Sequence, residues 1–268
     1  MGVITLTTDF GTRDWFVGTM KGVILGVNPK VTLVDLTHEI PPGDIRAGAF
    51  AVSSSCRFFP KGSIHVAVVD PGVGSSRRAV AVKTKNGYFI GPDNGVLSWA
   101  LKREQVLAIH ELKNRAYFLP AISATFHGRD AFAPAAAHLS RGLPVSKLGP
   151  AMKDIVRLPW PEVSCARDRV KGEVIYIDRF GNAITNISDS ALRKLASDTE
   201  RLVLRGTTQI CRVAGFYSAV PSGGAVAVMG SSGFLEIAVN GGNAARKLKL
   251  RVGTRIMVRS RPLGCKSE

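Results

Sequence analysis

The sequence predicts an α/β chain, with a mainly parallel-sheet N-terminal domain followed by a smaller C-terminal antiparallel β-barrel. Three observations carry this expectation. The first 150 residues alternate β-rich runs with runs of helical apolar spacing, the pattern of strand–helix–strand units covering a parallel sheet. The segment Ile64 to Val69 is almost wholly apolar, as a strand buried on both faces is. Beyond Asp168 only short β-rich runs occur, several of them separated by Gly-rich turns, which is the signature of a small barrel or sandwich. The stretch from Gly149 to Asp168 holds Pro150, Pro159 and Pro161 with little periodicity. The expected domains are therefore 1–150 and 169–268, with a linker at 151–168.

The elements follow in order. Val3 to Thr7 reads as a first strand ending in a polar loop, and Phe16 to Val27 as a helix stopped by Asn28-Pro29. Val31 to Leu36 is a second strand, and Pro41-Pro42-Gly43 a turn after it. Asp44 can cap an Ala-rich helix reaching Phe58. In the C-terminal part the expected strands are Val170–Ile177, Ala183–Asn186, Arg201–Leu204, Ala225–Val228, Phe234–Val239 and Thr254–Val258.

Composition narrows the class of protein. Of 268 residues 45% are apolar and 21% charged, which is a globular balance rather than a disordered one. No apolar run approaches the ~18 residues of a membrane helix. The start of the chain carries neither a basic leader nor an apolar signal core. Cys56, Cys165, Cys211 and Cys265 lie far apart without a C-x-x-C pair, so neither a disulfide scaffold nor a cysteine zinc site is expected, and a reducing cytoplasm is. Lys and Arg number 36 against 20 Asp and Glu, a formal charge of +16. That excess points to an anionic partner, yet no basic stripe interleaved with aromatics accompanies it.

Parallel sheets place their chemistry past the carboxyl ends of strands. Three loops of the first domain sit there: Thr8 to Gly11, Asp70 to Arg78 and Gly91 to Gly95, each opening on or containing an Asp. Gly72-Val73-Gly74 is not a dinucleotide fingerprint, because Arg77 stands in place of its third glycine, and no G-K-[ST] makes a P-loop. His38-Glu39 runs into Ile40-Pro41-Pro42, which forbids the helix of a zinc H-E-x-x-H site. His65 and His110 lie in apolar surroundings and read as structural. His127 differs: it stands between Phe126 and Gly128 before an Ala-rich run, exposed enough to titrate. In the second domain, Asp178 to Asn182 and Gly230 to Asn240 carry the polar groups, with Phe216 and Tyr217 as a stacking face.

Thr-Asp-Phe-Gly at 8–11, Asp-Pro-Gly-Val-Gly at 70–74, Gly-Pro-Asp-Asn-Gly at 91–95 and Thr-Phe-His-Gly-Arg-Asp at 125–130 recur in the same order in one known family. So do Asp-x-Phe-Gly-Asn at 178–182 and Gly-Ser-x-Gly-x-Leu-Glu-Ile-Ala at 230–238. The chain thus resembles, over nearly its whole length, the S-adenosyl-L-methionine (SAM) hydroxide adenosyltransferases, or SAM hydrolases, relatives of the fluorinase and chlorinase enzymes. The resemblance implies an α/β domain and a β-barrel domain in each subunit. It also implies homotrimers with active sites between the N-terminal domain of one subunit and the C-terminal domain of the next. The implied reaction is attack of water on the ribose C5′ of SAM, giving adenosine and methionine, without metal or other cofactor.

The family triad falls on Asp70, Arg77 and His127, with Arg78 less suited by spacing. Asp9 falls at the ribose hydroxyls, Asn182 at the adenine edge with Val239 supplying backbone contacts, and Tyr217 against the adenine face. Asp178 and Ser231 match positions near the methionine amino and carboxylate groups, and Glu236 a recurrent acidic position. Asp9, Asp70, Asp93 and Asp178 are expected to make the pocket locally acidic. Fluorinases carry a Ser where this chain has Gly128, a Tyr at the position of His127, a Trp near Gly43, an added loop, and an Arg at Ser232. Hydrolysis is therefore expected, with halide-dependent adenosyl transfer as the alternative and nucleic-acid binding as a more remote one.

Overall fold

The computed structural model describes residues 2–196 and 199–262. The chain forms two compact units, Met1–Pro159 and Trp160–Glu268. In the first, a six-stranded sheet has the order β2-β1-β3-β5-β4-β6, built from β1 (Val3–Thr8), β2 (Thr32–Thr37), β3 (Ser63–Val68), β4 (Ala79–Thr84), β5 (Gly87–Pro92) and β6 (Val106–Glu111). β1 runs parallel to β2 and β3, and β3 parallel to β5, whereas β4 is antiparallel to both β5 and β6. The sheet is mixed for a simple reason. Only Lys85 and Asn86 separate β4 from β5, and a connection that short can close a hairpin but cannot cross over.

Helix α1 (Phe16–Val27) turns Val17, Met20 and Ile24 inward. Helix α2 (Ile45–Ser55) starts at Asp44, whose carboxylate accepts from the Ala47 N–H, and it passes into a 3-10 turn at Cys56–Phe58. After α3 (Ser98–Leu101), helix α4 (Ala133–Ser140) buries Ala133 and Ala135 to Ala137, small residues that let it pack closely on α1 and the sheet. Ile4, Leu6, Met20, Ile24, Ile64, Ile90 and Phe132 are the large side chains at the centre of this core, each contributing about 1.5–3 kcal/mol by burial. The proline-containing segment after Gly149 runs with this unit as far as Pro159: Val156 N–H donates to Asp93 and Leu158 N–H to Ser98.

The second unit is an antiparallel sheet ordered β11-β10-β14-β8-β9-β13-β12, with β7 (Ser164–Cys165) added beside β8 (Arg169–Ile177). The other strands are β9 (Ala183–Ser188), β10 (Thr199–Arg205), β11 (Thr208–Arg212), β12 (Ala225–Met229), β13 (Phe234–Val239) and β14 (Arg255–Pro262). The nine-residue β8 pairs with β14 along its first half and β9 along its second. A bridge from Val213 to Ala227 joins the two ends of the order, so the sheet is a nearly closed barrel. Its interior is filled by Val170, Val174, Leu192, Val203, Leu235, Ile237 and Val258. Among the described residues no helix is long and apolar enough to cross a membrane.

Candidate active site

β1 and β3 are parallel neighbours, with Thr8 beside Val68, so Asp9 and Asp70 leave the same edge of the sheet. Between them opens a cavity of about 540 Å³ whose lining includes Asp9, Phe10, Gly43, Asp70, Pro71, Phe126 and His127. Asp9 Oδ2 accepts from the Gly43 N–H at 2.8 Å, in the turn before α2. Its Oδ1 has no partner among the described residues and is left as an acceptor.

Arg77 joins Asp70 to His127. Its Nε lies 3.0 Å from both Asp70 oxygens, its Nη2 2.5 Å from Oδ2, and the same Nη2 lies 2.8 Å from His127 Nδ1. The guanidinium also sits over the Phe132 ring, 5.4 Å from its centroid. The Arg77 and Asp70 side chains are only 11% and 4% exposed. Because a guanidinium can only donate, His127 Nδ1 must accept, and a neutral ring then carries its proton on Nε2. Burial lowers the His127 pKa, and Arg77 lowers it further against the opposing pull of Asp70 and Asp130. Electrostatics and hydrogen bonding therefore favour the same neutral tautomer.

The loop backbone brings the three together. Val73 N–H returns to the Asp70 carbonyl and Ser75 N–H to that of Gly72, closing two tight turns. Gly74 follows with φ +79°, and a Cβ there would run into the Ala124 carbonyl oxygen. The loop thus lies directly on the segment that leads to His127. Arg78 turns away: it is bound to Asp93 through Nε at 2.7 Å and to Asp154 through Nη1 at 3.1 Å. Asp93 accordingly does not line the cavity. It is buried, with Arg78 on one oxygen and the Val156 N–H on the other, and its charge is spent on holding the segment after Gly149 rather than on making the pocket acidic.

Asp130, which the motif contains but which sequence reasoning gave no role, holds the His127 segment. It is 0% exposed, and its oxygens accept from Arg129 Nε at 2.6 Å and from the Ser123 N–H at 2.7 Å. The only signal available in the sequence was its place in the motif, since its burial follows from the π-helical turn Gly128–Phe132. Gly128 at the head of that turn is closely packed: a Cβ would lie 3.3 Å from both Met20 Sδ and the Phe126 ring. Gly128→Ser is therefore expected to cost about 1–3 kcal/mol of stability, as overpacking does. It should not install halide-dependent turnover. Thermal unfolding and product analysis with and without chloride would check both.

In the second unit the sequence-predicted residues divide into a tight group and two flanking positions. Asp178 accepts from both the N–H and the side-chain amide of Asn182, at 2.9 and 3.0 Å. Asn182 is thus oriented with its side-chain carbonyl and one amide hydrogen unspent among the described residues. Tyr217 O–H donates to Glu236 Oε1 at 2.6 Å. Burial raises the Glu236 pKa, Tyr217 opposes this, and the Asp178 charge adds to it, while the bond to Glu236 pushes the Tyr217 phenol up to about 12. Glu236 Oε2 packs on Gly230, where a Cβ would lie 2.6 Å away, so the turn carrying exposed Ser231 abuts this group. Val239 is buried at the end of β13, two residues past Ile237, which pairs with Ala183 next to Asn182. Phe216 and the Tyr217 ring stay exposed. Ser232 Oγ is buried without a hydrogen-bond partner among the described residues. Among the described residues no three His, Cys, Asp or Glu side chains converge as metal ligands.

The SAM hydroxide adenosyltransferase N-terminal domain matches residues 4–149, and the C-terminal domain of the same family matches 172–257. The chain is 40% identical over 258 residues to the (R)-S-adenosyl-L-methionine hydrolase of Salinispora arenicola, covering 95% of this chain and 97% of that one. It is 39% identical to the (R)-S-adenosyl-L-methionine hydrolase of Thermus thermophilus, with 94% and 98% covered. A fluorinase of an Actinoplanes species is more distant, at 30% identity with 96% and 97% covered. The crystal structure of an uncharacterized conserved protein from Thermotoga maritima superposes with a TM-score of 0.89 at 37% identity, over 95% of this chain and 99% of that one. With both of its domains matched and such relatives along nearly its full length, the chain belongs to the SAM hydroxide adenosyltransferase family.

Proposed function

We propose that the protein hydrolyses S-adenosyl-L-methionine to adenosine and L-methionine by attack of water on the ribose C5′. The observation that carries this reading is the bridge from Asp70 through Arg77 to His127 beside a cavity of about 540 Å³. In the step, the water oxygen forms a bond to C5′, the C5′–S bond breaks, and its electron pair stays on sulfur as the neutral thioether of methionine. A sulfonium needs no acid to leave, so the protein has to position one water, exclude others and accept a proton. With Nδ1 bound to Arg77, His127 offers its Nε2 hydrogen to one lone pair of that water, and Asp70 accepts the proton released. Arg77 holds the carboxylate and the imidazole in mutual register and stabilises the growing hydroxide character.

Asp9 Oδ1 takes the ribose hydroxyls in this reading. Asn182 reads the adenine edge, with Val239 beside it and Tyr217 on the ring face. Asp178 and Ser231 receive the methionine end, and Glu236 fixes the Tyr217 hydroxyl. No cofactor is required, because SAM is the substrate and the sulfonium is already activated. A homotrimer with catalytic sites completed at subunit interfaces and a cytoplasmic location belong to the same reading. The location is supported by Cys56, Cys165 and Cys211 being free thiols. Hydrolysis is favoured over halide transfer by the close packing around Gly128.

His127→Ala tests the assignment. Turnover should fall by about 10²–10⁴-fold, with adenosine binding retained within a small factor by calorimetry. In the unmodified protein, the lowered His127 pKa places the acid limb of kcat/KM below about 6.5. Activity is complete above that limb and lost as pH falls through it, since imidazolium cannot accept from Arg77. A variant with unchanged turnover would remove His127 from the mechanism.

A further inference from the structure

The first unit contains a second cavity, of about 290 Å³, at the opposite end of β3 from Asp70. His65, Phe59 and Phe89 form an aromatic wall there, with ring centroids 5.7 Å apart between Phe59 and His65 and 5.0 Å between His65 and Phe89. His65 is 5% exposed and its Nδ1 is bonded to Thr5 Oγ1 at 2.9 Å. Its other nitrogen, Nε2, has no hydrogen-bond partner among the described residues and is not sealed off, so it is open toward the cavity that His65 lines. Burial lowers the His65 pKa to about 4, so the ring is neutral at pH 7 and presents an uncharged polar atom.

Arg57 and Lys61 are exposed lining residues and stand at the mouth. Neither forms an ion pair among the described residues, and the Arg57 guanidinium rests on the Phe58 ring at 4.7 Å. One acid, Glu104, also lines the cavity, and both its oxygens accept from the Asn86 amide, at 3.3 and 3.0 Å. A half-buried Phe59 ring, an imidazole nitrogen open to the cavity and two unpaired cations at the entrance describe a planar ring bearing an anion. We propose that this cavity is a second ligand site, for a small aromatic carboxylate. The ring would lie on Phe59 beside the His65 Nε2 edge, with its carboxylate at Arg57 and Lys61. A cavity near 300 Å³ is at the lower bound of small-molecule sites, which limits the occupant to about one ring and its substituents.

Cys56 lines the same cavity, and burial raises its thiol pKa, so it alkylates slowly and reports on occupancy. The probe is benzoate, with benzamide as its uncharged counterpart, and the readout is the iodoacetamide rate at the Cys56 peptide of the full chain. At 20 mM benzoate the rate should fall by about tenfold, as expected of a Kd near 2 mM, whereas benzamide should change it by less than about twofold. Arg57→Gln combined with Lys61→Gln, both exposed positions, should abolish the protection while leaving the melting temperature and the uninhibited Cys56 rate unchanged. His65→Phe should weaken it with the cations intact. An unchanged rate with benzoate, equal protection by benzamide, or protection that survives the double substitution would overturn the proposal.

Discussion

Arg77→Lys is expected to lower kcat by about two to three orders of magnitude with little change in the melting temperature. The guanidinium reaches Asp70 through Nε and Nη2 and His127 Nδ1 through that same Nη2. An ammonium is a point donor on a flexible stem and cannot hold both partners at once in a fixed plane. Lysine keeps a positive charge beside Asp70, whose side chain is 4% exposed, so the carboxylate is not left buried and unpaired, a loss that would cost about 3–5 kcal/mol. The substitution therefore separates geometry from charge. His127 would also be released to rotate and to choose either tautomer, and the acid limb of the pH profile should move toward the ordinary imidazole value. Steady-state kinetics, a thermal melt and a pH series would check the three parts. A kcat within about threefold of the parent would show that the bridge is not what positions the reacting groups.

The second large effect is expected at a backbone position. Gly74→Ala should destabilise the first unit by about 2–4 kcal/mol and lower kcat/KM by about a hundredfold, as a displacement near 1 Å does. A side chain at φ +79° is strained in itself, and its Cβ would be driven into the Ala124 carbonyl. The only relief is for the loop carrying Asp70 and Arg77 to lift away from the segment carrying His127. Gly72→Ala is the internal control. Its Cβ would meet Ser75 Oγ at 3.4 Å and Arg77 Cγ at 3.5 Å, which are ordinary contacts, and the change should cost less than about 1 kcal/mol. Denaturant melts and kcat/KM on the two variants would separate loop placement from a general intolerance of the Gly-rich turn.

Much of the first unit was legible because its signals are local. The apolar run at Ile64 to Val69 sits on β3, and Asp44 caps α2 through the Ala47 N–H. What failed depended on pairing between distant residues. Asp93 has the same Gly and Pro company as Asp70, but β5 pairs with an antiparallel β4 that delivers Arg78 to it. No local pattern announces that partner. Adjacent residues in extended chain point to opposite sides, so the choice between Arg77 and Arg78 rested on family spacing until the register showed that Arg77 joins His127 and Arg78 joins Asp93. β11 escaped because Thr-Gln-Ile-Cys-Arg is a short, polar strand at the end of the sheet order, with too little alternation to register. His65 looked structural, and its Thr5 bond agrees. The free Nε2 opposite that bond could be found only once the cavity was seen.

The charge of +16 marked no site by itself. Arg77, Arg78 and Arg129 are consumed by Asp70, Asp93 and Asp130, while Arg57 and Lys61 have no such partner among the described residues. Placement, not the sum, separates structural cations from those available to a ligand.

In the proposed reaction, water attacks C5′. A single turnover of S-adenosyl-L-methionine in water enriched in oxygen-18, with chloride present, tests it most directly, read by mass spectrometry of the nucleoside. One heavy oxygen is expected in the 5′-hydroxyl of adenosine, with methionine unlabelled. Adenosine without the label, or a 5′-halogenated nucleoside, would contradict it.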